Sequence, residues 1–381
     1  MKIRKTHSAV IITFIVCASF FSLYLLFFNN QLKSSAPVYE EIYTTGGNFH
    51  KSVRKIDYAI YESLYINGTK QSDVLFLDIQ PRHLNGNFWE FTEILVKFPD
   101  SKSAHYFQSA LNSEIKKAGQ LIKLLKADKS ENEIILHIFM GEFLTHKIII
   151  KINEKEQPSK YFRPKIAIII DDLGYESDLA FEFLDFDFPI TFSILPYGPF
   201  TEIISQKAII NGHEVLLHLP MEPKNYPSID PGPGALLLSM KEKEICSTLE
   251  QALLEANGIS GISNHMGSSF TENREKMGIV LKELKKKGLF FIDSRTTSGT
   301  VGFQEANKIG VPAASRNVFL DNDLDIKAIE MQMKRLLNIA RHSGSAIAIG
   351  HPHKETLEVL KEYFPQIKND FELVPVSELT G

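Results

Sequence analysis

Ile168-Ile169-Ile170-Asp171-Asp172-Leu173-Gly174 is the stretch on which the fold turns. The apolar run 166–170 reads as a buried strand, and it stops at two adjacent carboxylates. A single aspartate at a strand end commonly caps the next helix. Two in succession repel each other unless a cation or a proton sits between them, so the pair points to a metal.

Working outward, the same half of the chain holds Gly212-His213-Glu214-Val215-Leu216-Leu217-His218-Leu219-Pro220-Met221-Glu222 and Asn264-His265-Met266-Gly267-Ser268. Beyond them come Phe291-Ile292-Asp293-Ser294-Arg295-Thr296 and Ala348-Ile349-Gly350-His351-Pro352-His353. Short apolar runs at 165–170, 190–195, 214–219, 261–263, 289–293, 313–320 and 345–349 alternate with helical stretches such as 202–210 and 241–256. For the latter helix, Ser239 and Glu242 are the expected capping box. This alternation predicts a parallel α/β architecture, either a barrel or a doubly wound sheet. If the runs are strands of one barrel, the residues at their ends converge on its carboxyl-end face, where catalytic groups collect.

Side chains alternate along a strand, so His213 and His218 should face opposite ways. His218, at the carboxyl end, is the candidate ligand, and His213 is a structural hydrogen-bonding residue. His265 ends its run among small and polar residues, and with Asp172 and His218 it completes a three-ligand set of the kind that catalytic zinc uses. Glu222 lies beyond a proline-kinked turn, as an added ligand, an outer partner or a solvated carboxylate. Asp293 and Arg295 form either an internal ion pair or a support that orients Asp171 and anchors substrate oxygens. His351 is placed to act as general acid toward a leaving amine, while His353 is expected to be solvated.

The 381-residue chain is long enough for two domains and accessory segments. Its net charge of −4 offers no electrostatic reason to expect nucleic acid as a partner. Cys17 and Cys246 are the only cysteines, which excludes a disulfide framework and a cysteine zinc site. Lys2, Arg4 and Lys5 precede an apolar stretch over 8–28, long enough to cross a bilayer. Residues 1–33 are therefore expected to be a basic cytoplasmic flank and a signal anchor, with a cleaved signal and a secreted product as the alternative. Residues 36–156 read as a small α+β domain: helices at 49–64 and 101–117, strands at 73–79 and 88–98, and a hairpin of 133–140 with 143–152. Its His83, His105, His137 and His146 make no spacing that converts into a site. A polar linker, 157–164, leads into the α/β half, 165–381.

With these residues in place, that half resembles the divergent polysaccharide deacetylase family, a branch of the polysaccharide deacetylase superfamily. The resemblance rests on Asp171-Asp172-Leu173-Gly174, His218-Leu219-Pro220-Met221-Glu222-Pro223, Asn264-His265-Met266-Gly267-Ser268, Asp293-Ser294-Arg295-Thr296 and Gly350-His351-Pro352. It implies a distorted (β/α) barrel of about seven strands and metal-assisted hydrolysis of an acetylated sugar, with Asp171 as base and Asp172 as ligand. Better-studied members of the superfamily place a second metal histidine four residues after the first, where Glu222 stands here. The arginine-proline and tryptophan-bearing motifs of those members have no clear match.

The expected protein is a hydrolase anchored in the cytoplasmic membrane, with its barrel on the extracytoplasmic side. It would deacetylate an envelope or extracellular polysaccharide. Asp172, His218 and His265 would hold a divalent metal, zinc above others, and Asp171 and His351 would move the protons. Two readings compete with it: a metal-containing glycan-binding module without catalysis, and a structural envelope protein.

Overall fold

The computed structural model describes residues 47–84, 87–130, 132–153 and 163–381. The expected membrane span at 8–28 lies outside them, and among the described residues no helix is long and apolar enough to cross a membrane.

The first layer is built from α1 (Gly47–Ile66), β1 (Val74–Leu84), β2 (Asn87–Phe98), α2 (Ser101–Ala118), β3 (Ile122–Lys129), β4 (Glu133–Met140) and β5 (Phe143–Ile152). Strand β3 was not expected: Ile122-Lys123-Leu124-Leu125-Lys126 is too short a run, at the exposed edge of the sheet, to show a clear alternation. The sheet order is β1-β2-β5-β4-β3, with β2 and β5 parallel and the other pairs antiparallel. Alternate residues of β4 and β5, among them Ile134, Leu136, Ile138, Ile148 and Ile150, pack against Phe107 and Leu111 of α2 and Ile56 and Ile60 of α1.

The second layer runs β6 (Lys165–Leu173), α3 (Asp178–Leu184), β7 (Thr191–Ile194), α4 (Thr201–Ile210), β8 (Glu214–Met221), α5 (Glu242–Leu253), β9 (Ile259–Met266), α6 (Arg274–Lys287), β10 (Phe290–Asp293), α7 (Gly302–Ile309), β11 (Ala313–Ser315), β12 (Val318–Phe319), α8 (Ile326–Ser343), β13 (Ser345–Gly350), α9 (Lys354–Ile367) and β14 (Glu372–Leu373). The strands make a nine-stranded sheet in the order β11-β10-β9-β8-β7-β6-β13-β12, with β14 added to the start of β6. Every pairing in it is parallel. The two ends of that order, β11 and β12, are halves of one segment interrupted at Arg316-Asn317. The run read as a single strand at 313–320 therefore pairs with β10 by its first half and with β13 by its second. The barrel is distorted because its closing strand is broken.

Side-chain alternation separates two cores. Ile166, Ile168 and Ile170 face outward, toward Phe183 of α3, Met333 and Leu336 of α8, and Leu360 of α9. Ala167, Ile169, Leu216, Ile292, Ile347 and Ile349 fill the barrel interior. Asp171, His218, His265 and His351 continue the inward series at the carboxyl ends of their strands. Helix α5 starts at Glu242, one residue later than expected, and its cap moves two residues on, because Leu237 and Met240 close a turn ahead of it. The backbone N–H of Lys241 donates to Glu244 at 2.6 Å, so Lys241 and Glu244 replace Ser239 and Glu242 as the capping pair.

The layers meet along α8. Asn338 accepts from the Phe76 backbone N–H at 3.2 Å and donates to the Val74 carbonyl, which ties the edge strand β1 to the barrel.

Candidate active site

Asp171 and Asp172 both reach the cleft because β6 carries a bulge there. Ile170 is level with Phe192 of β7, and Leu173 with Ile194, so three steps on β6 oppose two on β7. Asp172 takes φ 60, a left-handed conformation that turns the second carboxylate back inward. Met266 and Arg295, at the tips of β9 and β10, have φ 51 and φ 52. Strained backbone thus gathers at these strand tips, as it does at functional sites. Gly267 follows with φ +87, and a Cβ there would stand 2.8 Å from the Cβ of Met221.

Three atoms converge in this cleft. His218 Nε2 and His265 Nδ1 lie 2.9 Å and 2.8 Å from Asp172 Oδ1, and 3.2 Å from each other. All three side chains are buried. Two imidazole nitrogens facing each other beside a carboxylate need a shared proton or a cation between them, and a donor set of two nitrogens and one oxygen suits zinc-like divalent ions. These residues therefore fit a metal, and among the described residues they are the cluster that could hold one. Ser263 stands 2.8 Å from His218 Nδ1 and 2.6 Å from Ser193, which fixes the imidazole with Nε2 toward the cluster.

The two aspartates are driven apart in acidity. Burial raises the Asp171 carboxyl above the ordinary range, against the pull of His218, His351 and Ser193. Burial acts on Asp172 in the same direction, but His265 and His218 more than reverse it and hold that carboxyl well below the usual carboxylate range. The Asp172 carboxyl thus favours its anion, while that of Asp171 holds its proton more readily. Asp171 Oδ1 lies 3.7 Å from His218 Nδ1.

His351 follows β13, whose Gly350 pairs with Ile170, so it sits beside Asp171. Its Nδ1 is 2.8 Å from Asp321 Oδ1, and its backbone N–H donates to Asp321 Oδ2 at 2.6 Å. Thr356 donates to the same oxygen at 2.6 Å. Burial works against protonation of His351, but Asp321 overrides it and raises the imidazole to about 10. Asp321 itself is lowered, since His351 outweighs the effect of burial. The sequence reading missed Asp321. Its signal was present: Val318-Phe319-Leu320-Asp321 repeats the pattern of an apolar run ending in aspartate. Ser263, two residues before His265 and so on the same strand face, was legible by the same alternation.

Glu222 does not join the cluster. Its Oε2 accepts from the Leu238 backbone N–H at 2.6 Å, which ties down the loop that leads to α5. We expect Glu222→Gln to keep full metal content by elemental analysis and to lose about 1 kcal/mol in urea unfolding, because the amide oxygen still accepts from the Leu238 N–H and only the charge assistance of this half-buried bond is lost.

Asp293 neither pairs with the Arg295 side chain nor orients Asp171. Asp293 accepts from the backbone N–H of Arg295 at 2.9 Å, from Thr300 Oγ1 at 2.9 Å and from the Phe303 N–H at 3.1 Å, so it secures the start of α7. Phe290 and Ile292 face the interior, which turns Asp293 outward, away from Asp171. The Arg295 side chain forms no ion pair with Asp293. His213 stands 3.1 Å from the Leu184 carbonyl through Nε2, at the far end of β8. His353 is half-buried, with its ring 6.3 Å from that of His351.

Fold and site together define a parallel α/β barrel with a buried aspartate and histidine cluster, fit for a divalent cation, at its carboxyl-end face. Residues 168–380 match the family model described as divergent polysaccharide deacetylase, and the chain belongs to that family. It is 36% identical over 215 residues to YibQ of Escherichia coli (strain K12), covering 56% of this chain and 67% of that protein. It is 32% identical over 219 residues to a protein of Haemophilus influenzae (strain ATCC 51907), covering 58% and 78%. The crystal structure of ATU2773 from Agrobacterium tumefaciens C58 superposes with a TM-score of 0.55 at 26% identity, over 58% of this chain and 92% of that one.

Proposed function

We propose that this chain is a metal-dependent hydrolase that removes acetyl groups from an envelope or extracellular polysaccharide, with zinc at Asp172, His218 and His265. The observation that carries the reading is the convergence of three buried donor atoms between a carboxyl raised by burial and a histidine held protonated. When bound there, the ion supplies Lewis-acid polarisation of the acetyl carbonyl and a lowered pKa for water. Asp171 takes the proton of the attacking water. His351, fixed through Nδ1 by Asp321, delivers a proton from Nε2 to the departing sugar nitrogen or oxygen. Family membership supports the substrate class. The apolar stretch 8–28 supports membrane attachment with the barrel outside the cytoplasm.

The test starts from metal content, which needs no guess about the sugar. About one divalent ion per purified chain is expected, a single cluster of this type holding a single ion, and His265→Ala should lose it. Acetate release from acetylated cell-wall and capsular glycans should then follow the metal. Wild-type protein that holds no ion after reloading would defeat the proposal. A metal-loaded chain that binds glycan and releases no acetate would make it a binding module.

A further inference from the structure

The barrel buries two guanidinium groups, Arg316 and Arg335, and one carboxylate that meets both, Glu90, comes from the small domain. Arg335 Nη1 donates to Glu90 Oε2 at 3.2 Å, and its Nη2 donates to Thr92 Oγ1 at 2.6 Å. Arg316 Nη1 stands 3.7 Å from Glu90 Oε1. Glu90 and Thr92 are alternate residues of β2, so this face of the small sheet is the one turned to the barrel.

Arg316 occupies the break in the closing strand, and three of its contacts lead toward the cleft. Its Nε donates to the Ser294 carbonyl at 2.8 Å, and its Nη2 to the Arg295 carbonyl at 3.2 Å, at the tip of β10. Ser294 in turn donates its backbone N–H to Asn264, the residue before His265. On its other side the guanidinium lies 3.5 Å from the ring centroid of Phe319, and Phe319 is stacked on His351 with centroids 5.9 Å apart at 28°. The small domain also grips the loop just after Asp321: Arg54 pairs with Asp323, and Tyr58 donates to Asp325 at 3.3 Å.

We propose that Glu90 is a positioning residue of the hydrolytic site, supplied by the small domain. By neutralising and orienting Arg316 it holds the tip of β10 and the Phe319 ring on which His351 rests. A planar guanidinium suits this task, because its fork serves two carbonyls and a carboxylate while its face lies on an aromatic ring. The role rests on the proposed hydrolysis, and it gives the small domain a task at the site.

The experiment uses the whole chain labelled with 15N-histidine, with the His351 imidazole signals assigned through His351→Gln. Glu90→Gln removes the charge and keeps the shape. Arg316→Lys keeps the charge and loses the fork. Glu93→Gln, on the next residue pair of β2 where Glu93 meets Lys147 at 2.9 Å, is the control. In Glu90→Gln and in Arg316→Lys the His351 signals should move, kcat for acetate release should fall about 10²-fold, as small misplacements of a catalytic group do, and KM and metal content should hold. Glu93→Gln should match wild type in every readout. Unmoved His351 signals in both site variants, or a kcat loss accompanied by metal loss, would overturn the proposal. If Glu90→Gln fails to fold, Arg316→Lys decides alone. Wild-type protein without acetate release would defeat the hydrolytic reading, and the His351 signals would still decide whether Glu90 positions that histidine.

Discussion

Asp172→Ala should strip the divalent ion from the protein and reduce acetate release to the level of chelator-treated enzyme. Asp172 Oδ1 is the atom common to both close imidazole approaches, at 2.9 Å and 2.8 Å, so its removal leaves two imidazole nitrogens and no carboxylate in the donor set. Ser263→Ala gives the scale for comparison. It takes away only the hydroxyl that orients His218, and loss of such an outer partner costs about 10–100-fold in metal affinity or activity. The ligand variant must therefore fall well below the hydroxyl variant when both are titrated with zinc. Asp172→Ala protein that keeps a stoichiometric ion at micromolar affinity would show that the cluster is not the metal site.

The second large effect falls on the proposed proton donor. His351→Ala should lower acetate release by about 10² to 10⁴-fold, the usual cost of losing a general acid, with metal content unchanged. Asp321→Asn should act through pH. Asp321 raises His351 to about 10 in the folded chain, against an unfolded value of about 6.5. A group raised on folding contributes stability that is complete below its unfolded pKa and is lost as pH climbs through the folded one. Asp321 is lowered on folding, so its contribution is present above its unfolded pKa and fades only in acid. The stability gap between wild type and Asp321→Asn should thus be widest near pH 6 and shrink toward pH 10. Urea unfolding of the metal-free proteins at both pH values checks this. A gap that is flat across that window would mean that Asp321 does not hold the proton on His351.

Much of this site was legible because strand alternation and strand ends are written locally. His218, His265 and His351 each close an apolar run on its inward face, and the separation of His218 from His213 followed from counting residues along one strand. Asp293 shows the same rule neglected: with Phe290 and Ile292 facing in, it had to face out, and only its place in a motif suggested otherwise. Glu222 escaped for a different reason. Its partner, the Leu238 backbone N–H, lies across a proline-rich loop whose path no local pattern predicts.

By itself the sequence determined the parallel α/β half, the aspartate pair and the histidines at the strand tips, because those depend on hydrophobic periodicity over a few residues. Tertiary structure decided what depends on residues far apart in the chain. The bulge opposite β7 brings both carboxylates into one cleft, the break at Arg316-Asn317 closes the barrel, Asp321 reaches His351, and Glu90 meets Arg316 across the layers. Each is a match between a buried charge or an unpaired backbone group and a partner brought near only by folding. The low-dielectric interior penalises every charge left without such a partner, and that penalty is what selects these long-range pairs.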